Sequence, residues 1–203
     1  MNHGGLYMFL LRLFTPAGRL FFWVRYHGVR NIPPNGKLIV CSNHKSVVDP
    51  FLIAMPFQRN IHYMAKSELF TDHGPLARAF LYAMGAFPVN RNTGDMKSMC
   101  TAVHILKNGG IVGIFPQGKC VFDDSPFCPK AGFSLLAARS GAPVLLVAIS
   151  CRGVLRPFKS VNIRFGHAVP CSSLPIHGTS ASGMRKAAAE IAAQINAMLE
   201  GKE

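Results

Sequence analysis

The chain has 203 residues, which fits one domain with a sizeable core, or one domain with a small appendage, and excludes several large domains. Hydrophobic residues make up 49% of the chain and charged residues only 15%, whereas about a quarter is typical of soluble proteins, so either the core is large or some apolar surface faces something other than water. The 22 Lys and Arg against 9 Asp and Glu give a net charge of +13, which predicts a polyanionic partner: nucleic acid, anionic lipid head groups or a phosphorylated substrate.

The N-terminal segment 6–26, LYMFLLRLFTPAGRLFFWVRY, is apolar and aromatic but is interrupted by Arg12, Pro16 and Arg19. A membrane-spanning helix needs about 20 mostly uncharged residues, and proline kinks or ends a helix. The pattern therefore predicts a hairpin of two short helices that lies at a membrane interface, where aromatic side chains suit the headgroup boundary. No acid precedes Asp49, and basic residues dispersed among apolar runs favour a membrane over nucleic acid. A helical hairpin docked on the protein core is the alternative.

Beyond this segment, short apolar runs alternate with helical patterns. Strands are predicted at 38–42, 87–89, 111–115, 144–149 and 161–165, and helices at 51–55, 75–84, 96–106, 131–139 and 183–199. This alternation predicts an α/β fold with a central, mostly parallel sheet flanked by helices. We therefore divide the chain into membrane-associating helices, 1–27, and one α/β domain, 28–203.

The six cysteines have no CxxC spacing, and no signal-peptide cleavage pattern appears before residue 30. We expect reduced thiols in a cytosolic protein. A zinc site built from Cys120, Cys128 and a histidine is the alternative, but its spacing fits no common zinc site. No metal ligand is therefore predicted.

The segment 43–50, NHKSVVDP, directly follows the predicted strand 38–42, and open α/β sheets place their sites just beyond the carboxyl ends of strands. His44 is a candidate general base near neutral pH, and the carboxylate of Asp49 would hold its other ring nitrogen. In a continuous helix, residues five apart lie about 140° apart around the axis, so this pair meets only if a turn intervenes. The alternative is that Asp49 caps the helix that begins at Pro50.

Three further segments carry candidate ligands for an anion. In IFPQGK, 114–119, Gly118 would let backbone amides approach a ligand and Lys119 could face phosphate. Arg91, at the end of GAFPVNR, could bind phosphate through two hydrogen bonds, and Lys66 in YMAKSELF is similar. Solvated surface side chains are the alternative in each case.

Taken together and in this order, these segments resemble the motifs of the glycerolipid acyltransferases, the superfamily that contains the lysophosphatidate acyltransferases. The resemblance covers about 28–149: NHKSVVDP is similar to the His-x4-Asp motif, YMAKSELF and GAFPVNR to the next block, IFPQGK to Phe-Pro-Glu-Gly-Thr-Arg, and GAPVLLVAI to the final proline-containing block. It implies that His44 removes the proton from a glycerol hydroxyl and that Asp49 orients His44. It also implies a set of residues that hold the glycerol phosphate: Lys66, Arg91, Gln117, Gly118 and Lys119.

The resemblance further implies a 1-acylglycerol-3-phosphate O-acyltransferase that forms phosphatidate. The acyl donor would be a thioester of coenzyme A or acyl carrier protein, with no metal or organic cofactor. The protein would be peripheral or monotopic on the cytoplasmic face of a membrane, with membrane lipids and no nucleic acid as partners.

Three positions depart from the family pattern. Gln117 stands where the family has Glu, Lys119 where it has Thr, and Cys120 where it has Arg. An amide keeps an acceptor oxygen but loses the charge, which leaves the acceptor open. The alternatives are acylation of a different lysolipid and a non-catalytic lipid-binding homologue; a nucleic-acid-binding module is suggested only by the net charge.

Overall fold

The computed structural model of the protein describes residues 3–90, 94–123, 125–176 and 180–201. Within these ranges the helices and strands are, in chain order, α1 His3–Phe21, β1 Trp23–His27, β2 Leu38–Ser42, α2 Asp49–Ala54, β3 Ile61–Lys66, α3 Glu68–Thr71, α4 Gly74–Ala83, β4 Phe87–Val89, α5 Met96–Lys107, β5 Ile111–Ile114, α6 Gly132–Ser140, β6 Val144–Ser150, β7 Ser160–Val169 and α7 Ala181–Glu200. All the strands and helices predicted beyond residue 28 are present.

The seven strands form one sheet in the order β1-β7-β6-β2-β5-β3-β4. Every neighbouring pair is parallel except β6 and β7, which are antiparallel. The central strands β2 and β5 are buried along their whole length, as expected when both faces of a parallel sheet are covered. The predicted α/β fold with a mostly parallel sheet is confirmed.

One apolar cluster covers each face of this sheet. On one face, α5, α6 and α7 pack through Leu106, Leu136 and Ile191. On the other, α1 and α2 pack through Leu11 and Leu52. Burying each of these side chains contributes about 1.5–3 kcal/mol, so both helical layers are firmly attached. Because β2, β5 and β3 are parallel neighbours, the loops that follow them lie at the same edge of the sheet.

The predicted N-terminal hairpin is wrong, because its residues form the single helix α1 followed by a strand. The helix continues through Pro16, although a proline inside a helix costs about 3 kcal/mol. Tyr7 and Leu11, only 1% and 2% exposed, anchor this helix in the core, and the Thr15 hydroxyl donates to the carbonyl of Leu11. Burial of these two side chains offsets the cost of the proline. Trp23–His27, predicted as helical, pairs with β7 instead.

Two further features were not predicted. Strand β3 interleaves polar residues with apolar ones, which hides it in the sequence. Strand β1 lies on the N-terminal side of the predicted boundary after residue 27 but belongs to the main sheet, and the two-part division stays a prediction. No helix in the described ranges combines the length and the apolar character needed to cross a membrane.

Candidate active site

His44 and Asp49 meet just beyond the carboxyl end of β2. Nδ1 of His44 lies 2.9 Å from Oδ2 of Asp49; the His44 side chain is 14% exposed and that of Asp49 is fully buried. The N–H of Asp49 donates to the carbonyl of Ser46 at 3.0 Å, which closes a turn between the two residues. The turn required by their five-residue separation is therefore present.

The carboxylate of Asp49 points back toward the turn between His44 and Asp49. Its Oδ2 also accepts the N–H groups of Lys45 at 2.6 Å and of Ser46 at 2.7 Å. Helix α2 begins at Asp49 itself, and Val48 occupies the capping position without a side-chain hydrogen bond. The alternative that Asp49 caps the helix is thus wrong, because its oxygen is engaged by the turn that carries His44. Donors that converge on one oxygen stabilise a negative charge there.

Asn43 ties this segment to strand β6. Its Nδ2 donates to the carbonyl of Ile149 at 2.9 Å, and the N–H of Ile149 donates to its Oδ1 at 2.7 Å. The NH2 group and the carbonyl oxygen of this buried amide are thus both hydrogen-bonded. The two bonds hold the segment after β2 against β6, as the backbone bonds of a sheet would. Sequence reasoning assigned no role to Asn43, although a buried amide next to a candidate base suggests one.

Aromatic rings support His44 from the side of β5. The imidazole stacks on the ring of Phe115 with 4.0 Å between centroids and 20° between planes. Phe115 in turn stacks on Tyr63 of β3, at 5.8 Å and 14°. Sequence reasoning missed both residues. The available signal was Gly113, since glycine inside a strand often marks a close approach.

The segment that follows β5 contacts the backbone of His44. Oε1 of Gln117 accepts the N–H of His44 at 3.1 Å, which leaves the NH2 group as the free end of this side chain. Gly118, with φ 74°, closes a turn in which its N–H donates to the carbonyl of Phe115. The N–H of Val121 donates to the carbonyl of His44 at 2.7 Å. The structure therefore brings the predicted Gln117–Gly118 segment next to the candidate base.

No contact with His44 is found for the other predicted phosphate ligands in the described ranges, and one of them lies outside those ranges. Lys66 forms an ion pair with Glu68 at 2.8 Å, and both side chains are about half exposed. A hydrogen bond from Lys66 is the main reason why the pKa of Glu68 is lowered to about 2. Lys119 is exposed at the surface. Arg91 lies outside the described residues.

Two cavities that differ in polarity meet at His44. An apolar groove of about 530 Å³ is lined by side chains from α1, α2, β3 and α4, among them Phe14, Phe21, Phe51, Met64, Phe80 and Leu81. A smaller cavity of about 270 Å³ has a mixed lining, in which apolar side chains alternate with polar ones; it is called the polar cavity below because of its polar groups, which include Asn43, Lys45, Gln117, Asp123, Ser125 and Asn196. A substrate that is apolar at one end and polar at the other can therefore place its central atoms against the imidazole.

The polar cavity is lined on one side by a loop that Lys45 contacts. Nζ of this buried lysine donates to the carbonyl of Asp123 at 2.6 Å. The pKa of Asp123 is lowered, chiefly by the hydrogen bonds that its carboxylate accepts from Ser125 and also by the charge of Lys45. Within the described ranges, no group of three or more His, Cys, Asp or Glu is placed to hold a metal ion, and the six cysteines are free thiols.

The chain is similar to a known family and to several known proteins. Residues 23–150 match the family model described as Acyltransferase. The chain is 34% identical over 128 residues to the 1-acyl-sn-glycerol-3-phosphate acyltransferase of Bacillus subtilis (strain 168), covering 62% of this chain and 61% of that protein. It is 27% identical over 124 residues to the 1-acyl-sn-glycerol-3-phosphate acyltransferase of Borreliella burgdorferi, covering 60% of this chain and 49% of that protein. The matches thus span less than two thirds of these relatives.

One solved structure extends the comparison to nearly the whole chain. The fold resembles the crystal structure of the 1-acyl-sn-glycerophosphate (LPA) acyltransferase, PlsC, from Thermotoga maritima, with a TM-score of 0.72 and 22% identity. The likeness covers 96% of this chain and 81% of that one. It therefore includes the helices outside the matched family region.

Proposed function

The chain belongs to the Acyltransferase family, and from this membership we propose that it transfers an acyl group from a thioester to the hydroxyl of a lysophospholipid. The proposed acceptor is 1-acylglycerol-3-phosphate, the substrate class in the names of its relatives, and the product is then phosphatidate. The observation that carries the proposal is the His44–Asp49 pair at the junction of an apolar groove and a polar cavity.

The proposed step is attack of a hydroxyl on the thioester carbonyl. His44 takes the hydroxyl proton as the oxygen bonds to the carbonyl carbon, and the C–S bond then breaks. The leaving thiolate receives the proton from His44, so the imidazole is regenerated. Asp49 holds Nδ1, fixes the tautomer and stabilises the imidazolium. General-base catalysis of this kind contributes about 10²–10⁴ in rate.

The groove suits the acyl chain, because its volume of about 530 Å³ lies within the range of about 300–1,000 Å³ that is usual for ligand sites. Either coenzyme A or acyl carrier protein is proposed as the carrier of the thioester. No metal or organic cofactor is invoked. The proposed phosphate ligands remain Lys66, Arg91, Gln117, Gly118 and Lys119, of which Gln117 touches His44.

We also propose that the protein works as a peripheral or monotopic protein at the cytoplasmic face of a membrane. Large apolar side chains stand exposed on α1 and α4 and in the loop after His44: Leu20 at 69%, Leu76 at 86% and Val47 at 84%. Residues of these same elements line the groove, so a lipid could enter it from a bilayer without crossing water. Exposed apolar side chains next to a lipid-sized groove support this location.

The direct test is an acyl-transfer assay in detergent with 1-acylglycerol-3-phosphate and each of the two thioester donors. We expect His44→Ala to lower the rate of acyl transfer about 10²–10⁴-fold relative to the wild type, because the substitution removes the general base. Asp49→Asn should also lose most of the rate, since the amide cannot stabilise the imidazolium. The matched control His104→Ala, at an exposed position of α5, should keep the wild-type rate. Transfer that survives in His44→Ala would contradict the proposal.

A different lysolipid is the second candidate acceptor, and Gln117 favours it. Its NH2 group is the free end of the side chain, and it donates hydrogen bonds where a carboxylate would accept them. The same assay with a panel of lysolipids separates the two acceptors. Lipid binding without turnover in the wild type, unchanged in His44→Ala, would instead indicate a non-catalytic lipid-binding homologue.

A further inference from the structure

Two buried oxygen atoms around His44 lack a hydrogen-bond partner among the described residues. They are Oδ1 of Asp49 and the hydroxyl of Tyr63; the only other such side-chain atom found in those ranges belongs to Arg59. Buried polar atoms in folded proteins are nearly always paired, because an unpaired one keeps its full desolvation penalty. Both unpaired oxygens therefore call for a partner inside the protein.

These two oxygens are chemically complementary. A carboxylate oxygen can only accept a hydrogen bond, whereas a phenol can donate one. The pKa of Tyr63 is raised well above its usual value, first by burial and then by the charges of Tyr7, Asp49 and Tyr26. The hydroxyl therefore stays protonated and can donate a hydrogen bond.

The two other tyrosines of this region, Tyr7 and Tyr26, already form hydrogen bonds. The hydroxyl of Tyr26 donates to the carbonyl of Leu52 at 2.8 Å. The hydroxyl of Tyr7 accepts the N–H of Ile61 at 3.4 Å. Tyr63 is thus the phenol of this group that has no hydrogen bond to the protein.

The ring of Tyr63 is connected to His44 through Phe115. It stacks on Phe115, which stacks on the imidazole. A Cβ atom at Gly113 would lie 2.3 Å from this tyrosine ring, so the glycine makes room for the stack. Tyr63 therefore supports His44 through Phe115 with its ring, and its buried hydroxyl is left without a partner in the described part of the protein.

We propose that Tyr63 is a positioning residue that completes the His44–Asp49 pair: its hydroxyl donates to one water molecule that in turn donates to Oδ1 of Asp49, and its ring supports Phe115 against the imidazole. Through this water, the hydroxyl withdraws part of the negative charge that Asp49 presents to His44. Only the kinetic consequence of this arrangement rests on the proposed function.

Other titratable groups surround the pair. Tyr7 and Tyr26 approach from α1 and β1, and Lys45, Asp123 and Glu200 line the polar cavity on the other side of His44. A substitution at Tyr63 leaves all of them in place. A change in the titration of His44 on removal of one hydroxyl therefore reports the water-mediated contact between Tyr63 and Asp49.

The test compares Tyr63→Phe, which removes the hydroxyl and keeps the ring, with the matched control Tyr82→Phe at an exposed position of α4. The ring signals of His44 are followed by NMR against pH in both variants and in the wild type. Without the hydroxyl, Asp49 holds the imidazole proton more tightly, and the titration midpoint should rise by about half a unit to one unit in Tyr63→Phe alone. Equal midpoints in the two variants would overturn the proposal, whether or not the protein turns over.

The kinetic counterpart is the pH dependence of acyl transfer. In Tyr63→Phe the acidic limb of the pH–rate profile should move to higher pH by the same amount, about half a unit to one unit. The rate on that limb then falls about 3–10-fold, while the rate at high pH is unchanged. A rate that is lowered equally at every pH would mean that the hydroxyl matters only for packing, and would also overturn the proposal. The absence of any His44-dependent transfer in the wild type would contradict the proposed function but leave the NMR test intact.

Discussion

Gln117 brings an amide to a site where a carboxylate would have the same shape. Its oxygen accepts the N–H of His44, so the side chain supports the candidate base and presents its NH2 group as the free end. A carboxylate in this place would keep the backbone contact and offer a charged acceptor for a substrate hydroxyl. Charge-assisted hydrogen bonds are about twice as strong as neutral ones.

Gln117→Glu should therefore improve the use of 1-acylglycerol-3-phosphate if that lipid donates a hydroxyl hydrogen bond here. We expect KM for this acceptor to fall about tenfold, since one hydrogen bond to a charged group contributes about 1.5–3 kcal/mol. Initial rates at varied acceptor concentration measure the change. Gln58→Glu, at an exposed loop position, is the control for added negative charge and should leave KM unchanged. An unchanged or higher KM in Gln117→Glu would show that this acceptor donates no hydrogen bond to the position.

Strand β5 links the stability of the sheet to the geometry of the site. Gly113 lies opposite Tyr63 in the parallel register of β3 and β5, and the tyrosine ring covers the glycine. Phe115 follows the end of this strand and carries the stack on to His44. A substitution in the middle of β5 can therefore displace the imidazole of His44 through the rings of Tyr63 and Phe115.

Gly113→Ala should destabilise the fold and slow turnover together. The new methyl group would lie 2.3 Å from the buried Tyr63 ring, and overpacking of this kind costs about 1–3 kcal/mol. Urea denaturation measures the free energy of unfolding, and the acyl-transfer assay measures turnover. Gly132→Ala in α6, where a Cβ meets no atom within 4 Å, is the control and should be neutral or stabilising. Equal stability of the two variants would contradict the packing argument.

The whole molecule combines a net charge of +13 with an exposed apolar surface on α1. Leu13 and Leu20 are 57% and 69% exposed, and the basic residues Arg12 and Arg19 are exposed on the same helix. Apolar side chains beside basic ones favour an anionic membrane surface. The polar sites of nucleic-acid-binding proteins have a different composition.

Binding to vesicles should therefore weaken when these leucines become polar. We expect the double variant Leu13→Gln/Leu20→Gln to bind vesicles of phosphatidylglycerol about tenfold or more weakly, because each leucine loses about 1.5–3 kcal/mol of apolar burial. Met96→Gln, 50% exposed on α5 at the other face of the sheet, is the matched control. Co-sedimentation measures the binding of the protein to vesicles. The decrease in binding at high salt or with neutral lipid measures how much charge contributes to the affinity. Equal binding of both variants would exclude α1 as the contact surface.

The alternation of strands and helices could be predicted from the sequence, because it depends on periodicity within short stretches of chain. The meeting of His44 with Asp49 was implied by the resemblance of the motifs, since their spacing alone allows the contact only if a turn intervenes. Strand β2 reads as an apolar run, and a single turn brings the two side chains together. The N-terminal hairpin was predicted wrongly because proline and arginine in a short window suggest a break. Whether the helix continues depends on the core that receives Tyr7 and Leu11.

The sequence by itself therefore determined the type of fold and, through the resemblance of several motifs in order, the chemical pair at the end of β2. Only the tertiary structure decided what surrounds that pair: Gln117 on the backbone of His44, Phe115 on its ring, and Tyr63 behind Phe115. These contacts depend on β2, β5 and β3 being neighbours in the sheet, an order that local periodicity does not encode. The physical reason is that periodicity reports which face of an element is buried, whereas strand order depends on how all the buried faces pack at once.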